Sequence, residues 1–487
     1  MVSRLAHRGP DGEGSVEVDG SWLGYCRLAL VEGGRQPFES ETAGLAMVAD
    51  GEIYNAMELR EASGGKTRDS IECAMHLLAA HGPAALAELN GQFALAGAGR
   101  DGWFVAARDR FGLKPLYWAR RGEQFVFASE LGAFDEDWMP LVESFPPGHA
   151  WTPEDGLVRF VHATPDATAR AASFTAPEAP GDDIPEPILA AVRAQLGEAV
   201  DRQMMGDVPI GAFLSGGLDS SIIAALGARW LEARGERLKT FAVGFEGAPD
   251  LAAARVVAEH LGTEHFERTY TADEALEILP EVVGALENFD PSLVRSSVPN
   301  AIVAELAARH VTVVLSGEGA DEIFGGYAHM EALDSPVELQ RELVRGIEGG
   351  HNNGFQRVDR TTMMHGLQAR MPFMDRDMVE LGLSIPAGWK LAGNGVPEKR
   401  VLREAFRGWL PEEVLWRKKA QFGDGSGAID VLQDRMMASV PRADFMLERG
   451  TVEPPLRTRE EAAYHRIFAG HFPGARAEHV VGRFITA

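Results

Sequence analysis

The distribution of apolar positions divides the chain into two grammars. Up to about residue 165, short runs of alternating or uniformly apolar residues are separated by Gly, Pro, Asn and Asp. SWLGYCRLALV (21–31), GLAMVADGEIYN (44–55), QFALAGAG (92–99), GWFVAARD (102–109) and EQFVFASE (123–130) each read as a strand bounded by turn residues. Apolar spacing of three and four residues predicts a helix over SIECAMHLLAAHG (70–82) and a shorter one in AALAELN (84–90). Stacked antiparallel sheets with a few helices satisfy this pattern. ATPDATARAASFTAPEAPGDDIPEP, from about 165 to 190, has no periodicity and reads as a linker.

From residue 191 onward strands and helices alternate. VPIGAFL (208–214), LKTFAVGF (238–245), EHFERTY (264–270) and VTVVLS (311–316) read as strands. Helical periodicity covers SSIIAALGARWLEARG, DLAAARVVAEHLG, EALEILPEVVGALE and PNAIVAELAARH. Such alternation predicts a parallel sheet with helices on both faces and a ligand site at the carboxyl ends of its strands. Beyond about residue 330 the pattern is mostly helical. The expected domains are therefore 1–165, a linker at 166–190, and 191–487.

Composition narrows the function. With 47 basic against 72 acidic residues the formal charge is -25, a field that repels nucleic acid and anionic membranes. No apolar run reaches transmembrane length, and Cys26 and Cys73 are too few for a disulfide framework, so the chain reads as cytoplasmic. Their sequence contexts place Cys26 in a strand core and Cys73 in a helix core. His76 and His81 are five apart, off the spacing that aligns metal ligands on a helix face, and read as ordinary helix residues.

The strongest chemical signal is FLSGGLDSS (213–221). A strand ending at Leu214 runs through Ser215, Gly216 and Gly217 into a helix whose first residues are Asp219, Ser220 and Ser221. Backbone N–H groups at such a junction hold phosphate, and an Asp there tolerates phosphate when a divalent cation lies between them. A second loop repeats the plan: in VTVVLSGEGADEIFGGY (311–327) a strand ends in Ser316 and Gly317, followed by Glu318, Asp321 and Glu322. Side by side in a sheet, the two loops would bring Asp219 and Asp321 to one metal ion. A Gly-rich turn and a solvated acidic loop are the ordinary alternatives for each loop taken singly.

SGGLDSS resembles the pyrophosphate loop of ATP-pyrophosphatases. Together with FAVGFEGAPDL, VLSGEGADEIFGGY, ARMPFMD, EKRVLRE and WRKKAQFGDG it resembles glutamine-dependent asparagine synthetase. HRGPDGEG, DGEIYN, ARDRFGLKPLYW, FASEL and FPPGHAW resemble the glutaminase domain of the same family, and all the motifs occur in family order. The resemblance implies an α/β protein: an N-terminal αββα, Ntn-hydrolase-like antiparallel sandwich and a C-terminal parallel-sheet ATP-pyrophosphatase domain, assembled as a homodimer. It implies ATP and Mg²⁺ as cofactors, with a small amino acid and a nitrogen donor as partners. The reaction implied is adenylation of a carboxylate followed by attack of an amine. Asp219 and Asp321 would hold the metal, with Ser215, Gly216, Gly217, Ser220, Ser316 and Gly317 around the phosphates and Leu214 and Val243 at the adenine. Glu318 would handle the amine proton, Lys399 and Lys419 would neutralise pyrophosphate, and Ser292 and Arg295 would receive the substrate carboxylate.

Several positions depart from the family pattern. Gln368 stands where the family has Glu before ARMPF. No Cys occupies the chain start, where the family's nucleophile lies. A misassigned start codon that removed roughly twenty-odd residues would explain that by itself. Asp50, however, stands before GEIYN in place of the family's oxyanion-hole Asn, and a carboxylate cannot donate to an oxyanion. Gly51 and Glu52 follow it as in the family. Ser70 aligns with an Asp that recognises glutamine's amino group, although Asp69 would take that place after a one-residue shift. Arg27, matching the family's carboxylate-binding Arg, is retained. The expectation is an ATP-dependent amide ligase acting on aspartate or a close analogue, supplied by ammonia or another small nitrogen nucleophile and not by glutamine. Intramolecular ring closure of the β-lactam-synthetase kind is one alternative, although those relatives carry Tyr where Glu318 stands. A non-catalytic nucleotide-binding paralogue is another.

Overall fold

The computed structural model describes residues 1–31, 36–40, 44–63, 70–164, 182–393, 395–418 and 429–483. The N-terminal half is built on a six-stranded antiparallel sheet. Its strands run, edge to edge, Gly156–Arg159, His149–Thr152, Phe104–Arg108, Gly91–Gly99, Leu45–Ile53 and Phe38–Ser40. Period-two alternation explains why both faces are buried. Met47, Ile53, Phe93 and Leu95 point to one face, where helices Ala56–Ser63 and Ser70–His81 cover them. The intervening Ala46, Val48, Ala94 and Ala98 point to the other face.

That second face carries two separate small sheets. One is the hairpin Glu13–Val18/Ser21–Cys26; the other contains Gln124–Ala128, Tyr117–Arg121 and Val142–Ser144. The outer residues of the three-stranded sheet, Tyr117, Ala119, Ala128 and Val142, belong to the same apolar cluster as the C-terminal core. The C-terminal core therefore extends onto this small sheet, while the apolar residues of the six-stranded sheet form clusters of their own. The segment 84–90, expected as a short helix, is a 3₁₀ turn over Pro83–Glu88.

The C-terminal half contains a five-stranded parallel sheet ordered Glu264–Thr269, Lys239–Gly244, Ile210–Phe213, Val313–Leu315 and Gln368–Arg370. Strand order reverses at Ile210–Phe213, the first of the five in the chain. A crevice forms there at the carboxyl ends of Ile210–Phe213 and Val313–Leu315.

Two boundaries and one further strand differ from the sequence expectation. The linker ends earlier, because helix Glu186–Gln203 begins inside 166–190; residues 165–181 lie outside the described ones. The helix expected from Pro299 starts at Pro291, capped by Asp290, whose side chain accepts from the N–H groups of Ser292 and Leu293, and Pro299 sits inside it. The fifth strand, Gln368–Arg370, was not anticipated; three buried residues are too few for a periodicity to register. Among the described residues no helix is long and apolar enough to cross a membrane.

Candidate active site

The two Gly-rich loops meet in the crevice. Helix Leu218–Glu232 follows Gly217 with no side-chain cap, so the first-turn N–H groups are left to a ligand. The loop is braced from within. Ser221 Oγ donates to the Gly217 carbonyl at 2.7 Å, the Ser215 and Ser220 hydroxyls lie 3.0 Å apart, and Gly217 N–H donates to Ser215 Oγ at 3.3 Å. Gly216 has φ +70°, and a Cβ there would come 2.5 Å from Ala253 Cβ. Across the crevice a Cβ on Gly317 would stand 2.7 Å from Ser220 N. Glycine is required at both places because backbone meets backbone or a packed helix.

A cavity of about 440 Å³ opens over these loops. Leu214, Ser215, Gly217, Asp219, Ser220, Val243, Ser292, Arg295, Ser316, Gly317, Glu318, Asp321 and Lys399 all line it. Lys419 lies outside the described residues; the neighbouring Arg417 and Lys418 line the cavity. Arg417 donates to the Gly216 carbonyl at 3.3 Å and pairs with Asp250 at 2.7 Å.

Asp219 and Asp321 face one another through Lys399. Its ammonium lies 2.5 Å from each carboxylate, and its side chain is 1% exposed. Burial opposes the charge on Lys399, but the two carboxylates outweigh it and hold its pKa above the ordinary lysine value. Gly326 makes this arrangement possible, since a Cβ there would stand 1.8 Å from Asp321 Oδ1 and 2.2 Å from Lys399 Cε. Asp219 Oδ1 is buried and has no hydrogen-bond partner among the described residues. Two facing carboxylates, one with an unengaged oxygen, form a hard oxygen donor set suited to Mg²⁺ once phosphate oxygens complete the shell. Among the described residues no group of three or more His, Cys, Asp or Glu could hold a metal without such help.

Glu318 stands between Gly317 and Gly319 and pairs with Arg357, which the sequence reading missed. Glu322 is turned away from the cavity. Burial, with the charges of Glu318 and Asp321, pushes its pKa up to about 8, and Tyr327 donates to it at 2.5 Å. Arg295 is not wholly free for a substrate: Nη1 lies 3.4 Å from Glu460, while its Nε is buried without a partner among the described residues. Burial raises the pKa of Glu460, and Tyr464 donates to its other oxygen at 3.1 Å. Gln368 lies elsewhere. It is buried, it lines the other large cavity, and it is absent from the walls of this one.

The N-terminal half holds a second cavity of about 940 Å³, between the six-stranded sheet and the two small sheets. Arg27, Asp50, Gly51, Glu52 and Cys26 line it. Gly51 has φ +121°, with a hypothetical Cβ only 1.9 Å from the Gln92 carbonyl oxygen. Ser70 donates to Glu52 at 2.7 Å and accepts from Ile53 N–H. Cys73 is buried in its helix as expected, whereas Cys26 is a partly exposed cavity-wall thiol and not a core residue. Burial and the nearby Glu13 carboxylate raise the Cys26 pKa, and Sγ–H donates to the Val2 carbonyl at 3.2 Å. Arg27 donates to the Val31 carbonyl at 3.4 Å.

Asp50 is not an isolated anion in this cavity. Arg8 donates to it at 2.7 Å and Lys114 at 3.1 Å. The same two cations reach Asp359 of the C-terminal half at 2.9 and 3.0 Å. Arg8 also pairs with Glu130, which receives Arg360 at 3.1 Å and His7 at 2.9 Å. Burial works against the Asp50 charge, but Lys114 and Arg8 prevail and hold its pKa well below the usual carboxylate range. At the far end Glu287 pairs with Arg360 at 2.7 Å; burial pushes Glu287 up to about 7. This buried cluster joins the two halves.

The family model "Asparagine synthase" matches residues 191–338 and 331–477, and "Glutamine amidotransferase domain" matches 1–144. The chain is 37% identical over 507 residues to asparagine synthetase [glutamine-hydrolyzing] 2 of Arabidopsis thaliana, covering 99% of this chain and 85% of that one. It is 36% identical to a probable glutamine-hydrolyzing asparagine synthetase of Schizosaccharomyces pombe, covering 99% and 91%. Among solved structures, a glutamine phosphoribosylpyrophosphate amidotransferase from B. subtilis aligns at 19% identity and a TM-score of 0.30, over 55% of this chain and 77% of that one. With its nucleotide-loop crevice beside an amidotransferase-type half, the chain belongs to the asparagine synthetase family of ATP-dependent, AMP-forming carbon–nitrogen ligases.

Proposed function

We propose that the chain adenylates the side-chain carboxylate of aspartate or a close analogue and passes the acyl group to ammonia or another small nitrogen nucleophile, without hydrolysing glutamine. A carboxylate oxygen of the acid attacks the α-phosphorus of ATP, the α–β anhydride bond breaks, and pyrophosphate leaves. The amine then attacks the acyl carbon, AMP leaves, and one proton is lost from nitrogen.

The crevice geometry supports the first step. N–H groups at the start of helix Leu218–Glu232 and the Arg417 guanidinium face the position of the phosphates. Lys399 keeps Asp219 and Asp321 together, and those carboxylates would hold Mg²⁺, which neutralises phosphate charge when bound. Ser292 and Arg295 lie on the cavity wall where an amino acid's carboxylate would be read. For the second step, Glu318 is the side-chain base best situated to receive the amine's proton.

The observation that carries the departure from glutamine is Asp50. Its two oxygens are engaged by Arg8 and Lys114, and it has no proton to donate to an oxyanion. Among the described residues the thiol on the cavity wall is Cys26, whose pKa burial and Glu13 push up, away from the thiolate a nucleophile needs, and whose Sγ–H donates to backbone. The relatives are named as glutamine-hydrolysing enzymes, and this reading parts from them at that site. The test is product formation from aspartate and ATP with ammonium or with glutamine, with AMP, pyrophosphate and the mass of the product all recorded. Amide made equally well from glutamine contradicts it, and a product lighter than the acid by one water indicates ring closure.

A further inference from the structure

The helix Gly354–Met363 lies between the two charged clusters. Each residue turns the helix by about 100°, so Arg357 and Asp359 leave it on nearly opposite sides, about 200° apart. Arg357 points into the ligase cavity and pairs with Glu318. Glu318 also approaches the first residue of the helix, where a Cβ on Gly354 would come within 2.1 Å of Glu318 Oε1. On the opposite side Asp359 accepts from Arg8 at 2.9 Å and Lys114 at 3.0 Å, both contributed by the N-terminal half. Asp50 engages the same two cations and so closes the grip.

Glu318 cannot fix its own direction. It lies between two glycines, one of them at φ +97°, and has three rotatable side-chain bonds. The planar guanidinium of Arg357, 14% exposed and with Nε making no hydrogen bond among the described residues, is the group that orients it. Turning or sliding the helix would move Arg357, and that motion is resisted by the ion pairs of Asp359 on the opposite side and by the buried pair of Arg360 with Glu287 one turn further along.

We infer that Arg357 is the positioning residue for Glu318, and that the N-terminal half, through Arg8, Lys114 and Asp50, braces the helix that carries it. This rests on the role given to Glu318 above. It assigns Asp50 a structural task in amide formation at a position where a glutaminase would need a neutral donor.

The experiment uses the full-length protein and separates the two half-reactions: ATP–pyrophosphate exchange reports adenylation, and product mass reports amide formation from ammonium. Arg357→Met is expected to cut kcat for amide formation about 100-fold, the cost of misplacing a catalytic group by about 1 Å, with exchange changed less than about threefold. Arg357→Lys, which keeps the charge but not the fork, recovers about tenfold of that loss. Asp359→Asn, which touches neither cavity's ligand, lowers the same half-reaction about tenfold while exchange persists. A fall of exchange and amide in equal proportion in Arg357→Met would overturn the assignment, because a residue with a general structural role moves both; so would unchanged amide formation. Glu318→Gln distinguishes the two levels. If that variant makes amide at the wild-type rate, the reading of Glu318 fails. If it does not while Arg357→Met does, only the positioning role fails.

Discussion

Gly354→Ala tests the role proposed for Glu318, acceptance of the amine's proton, with a perturbation of one methyl group. The added methyl carbon would stand 2.1 Å from Glu318 Oε1 and 3.1 Å from Glu318 Cδ. Carbon–oxygen contacts below about 3 Å are strongly repulsive, so the carboxylate must retreat by about 1 Å. The retreat is cheap for the fold, because the obstructing atom is the end of a flexible side chain and alanine favours a helix over glycine. It is costly for chemistry, since a 1 Å displacement of a reacting group costs about 100-fold in rate. The expected phenotype is thus specific: thermal unfolding midpoint within a few degrees of wild type, ATP–pyrophosphate exchange with aspartate retained, and amide formation from ammonium reduced about 100-fold. Exchange and amide release measured on the same enzyme preparation decide the matter. A Gly354→Ala protein that exchanges and makes amide at wild-type rates would refute the placement of Glu318 as the proton acceptor.

Other expectations follow from buried charges. Lys390 is 1% exposed, and burial pulls its pKa from 10.5 down to about 7. Because the folded state releases the proton first, stability rises with pH between 7 and 10.5, and below 7 the fold carries a charge penalty. Allowing for the hydrogen bond from Nζ to the Gly382 carbonyl, Lys390→Met should stabilise by about 3 kcal/mol at pH 6 and by little at pH 10, as read from urea midpoints at both pH values. A larger gain at pH 10 than at pH 6 would reverse the sign of this argument. Asp50→Asn restores a neutral amide beside Gly51 but leaves Arg8 and Lys114 short of an anion. It should lose about 3 kcal/mol of stability and release no glutamate from glutamine, as followed by amino-acid analysis. Asp219→Asn should abolish the Mg²⁺-dependent part of the thermal stabilisation conferred by ATP, while the ATP-alone part remains in a thermal-shift titration.

The legibility of the site followed the length scale of its contacts. Both Gly-rich loops were readable because strand, turn and helix onset are local, and the parallel alternation placed them at one edge of a sheet. The pairing of Ile210–Phe213 with Val313–Leu315 then brings Asp219 and Asp321 together across about a hundred residues of chain. Arg357 and Gly354 were missed because nothing beside them in sequence signals their partners, and Gly326 and Arg417, although inside recognised motifs, were given no role for the same reason. Gly326 earns its place only through the closeness of Asp321 to Lys399, a property of packing. Asp50 was readable as a departure from the family, but its ion pairs were not: Arg8, Lys114 and Asp359 come from three distant segments, and the second half of the chain contributes the last. Pro299 misled in the other direction, since a proline read as a helix start lies within Pro291–Ala308, whose start is set by the Asp290 cap.

The central claim is that an intact ligase crevice works beside an amidotransferase half that no longer hydrolyses glutamine. The most direct measurement is ¹⁵N tracing in the purified full-length protein with aspartate, ATP and Mg²⁺, offering unlabelled ammonium and glutamine labelled at its amide nitrogen together. The prediction is an unlabelled amide formed with one AMP per turnover and glutamine recovered intact. A product carrying the glutamine label, with glutamate accumulating in step, would contradict it.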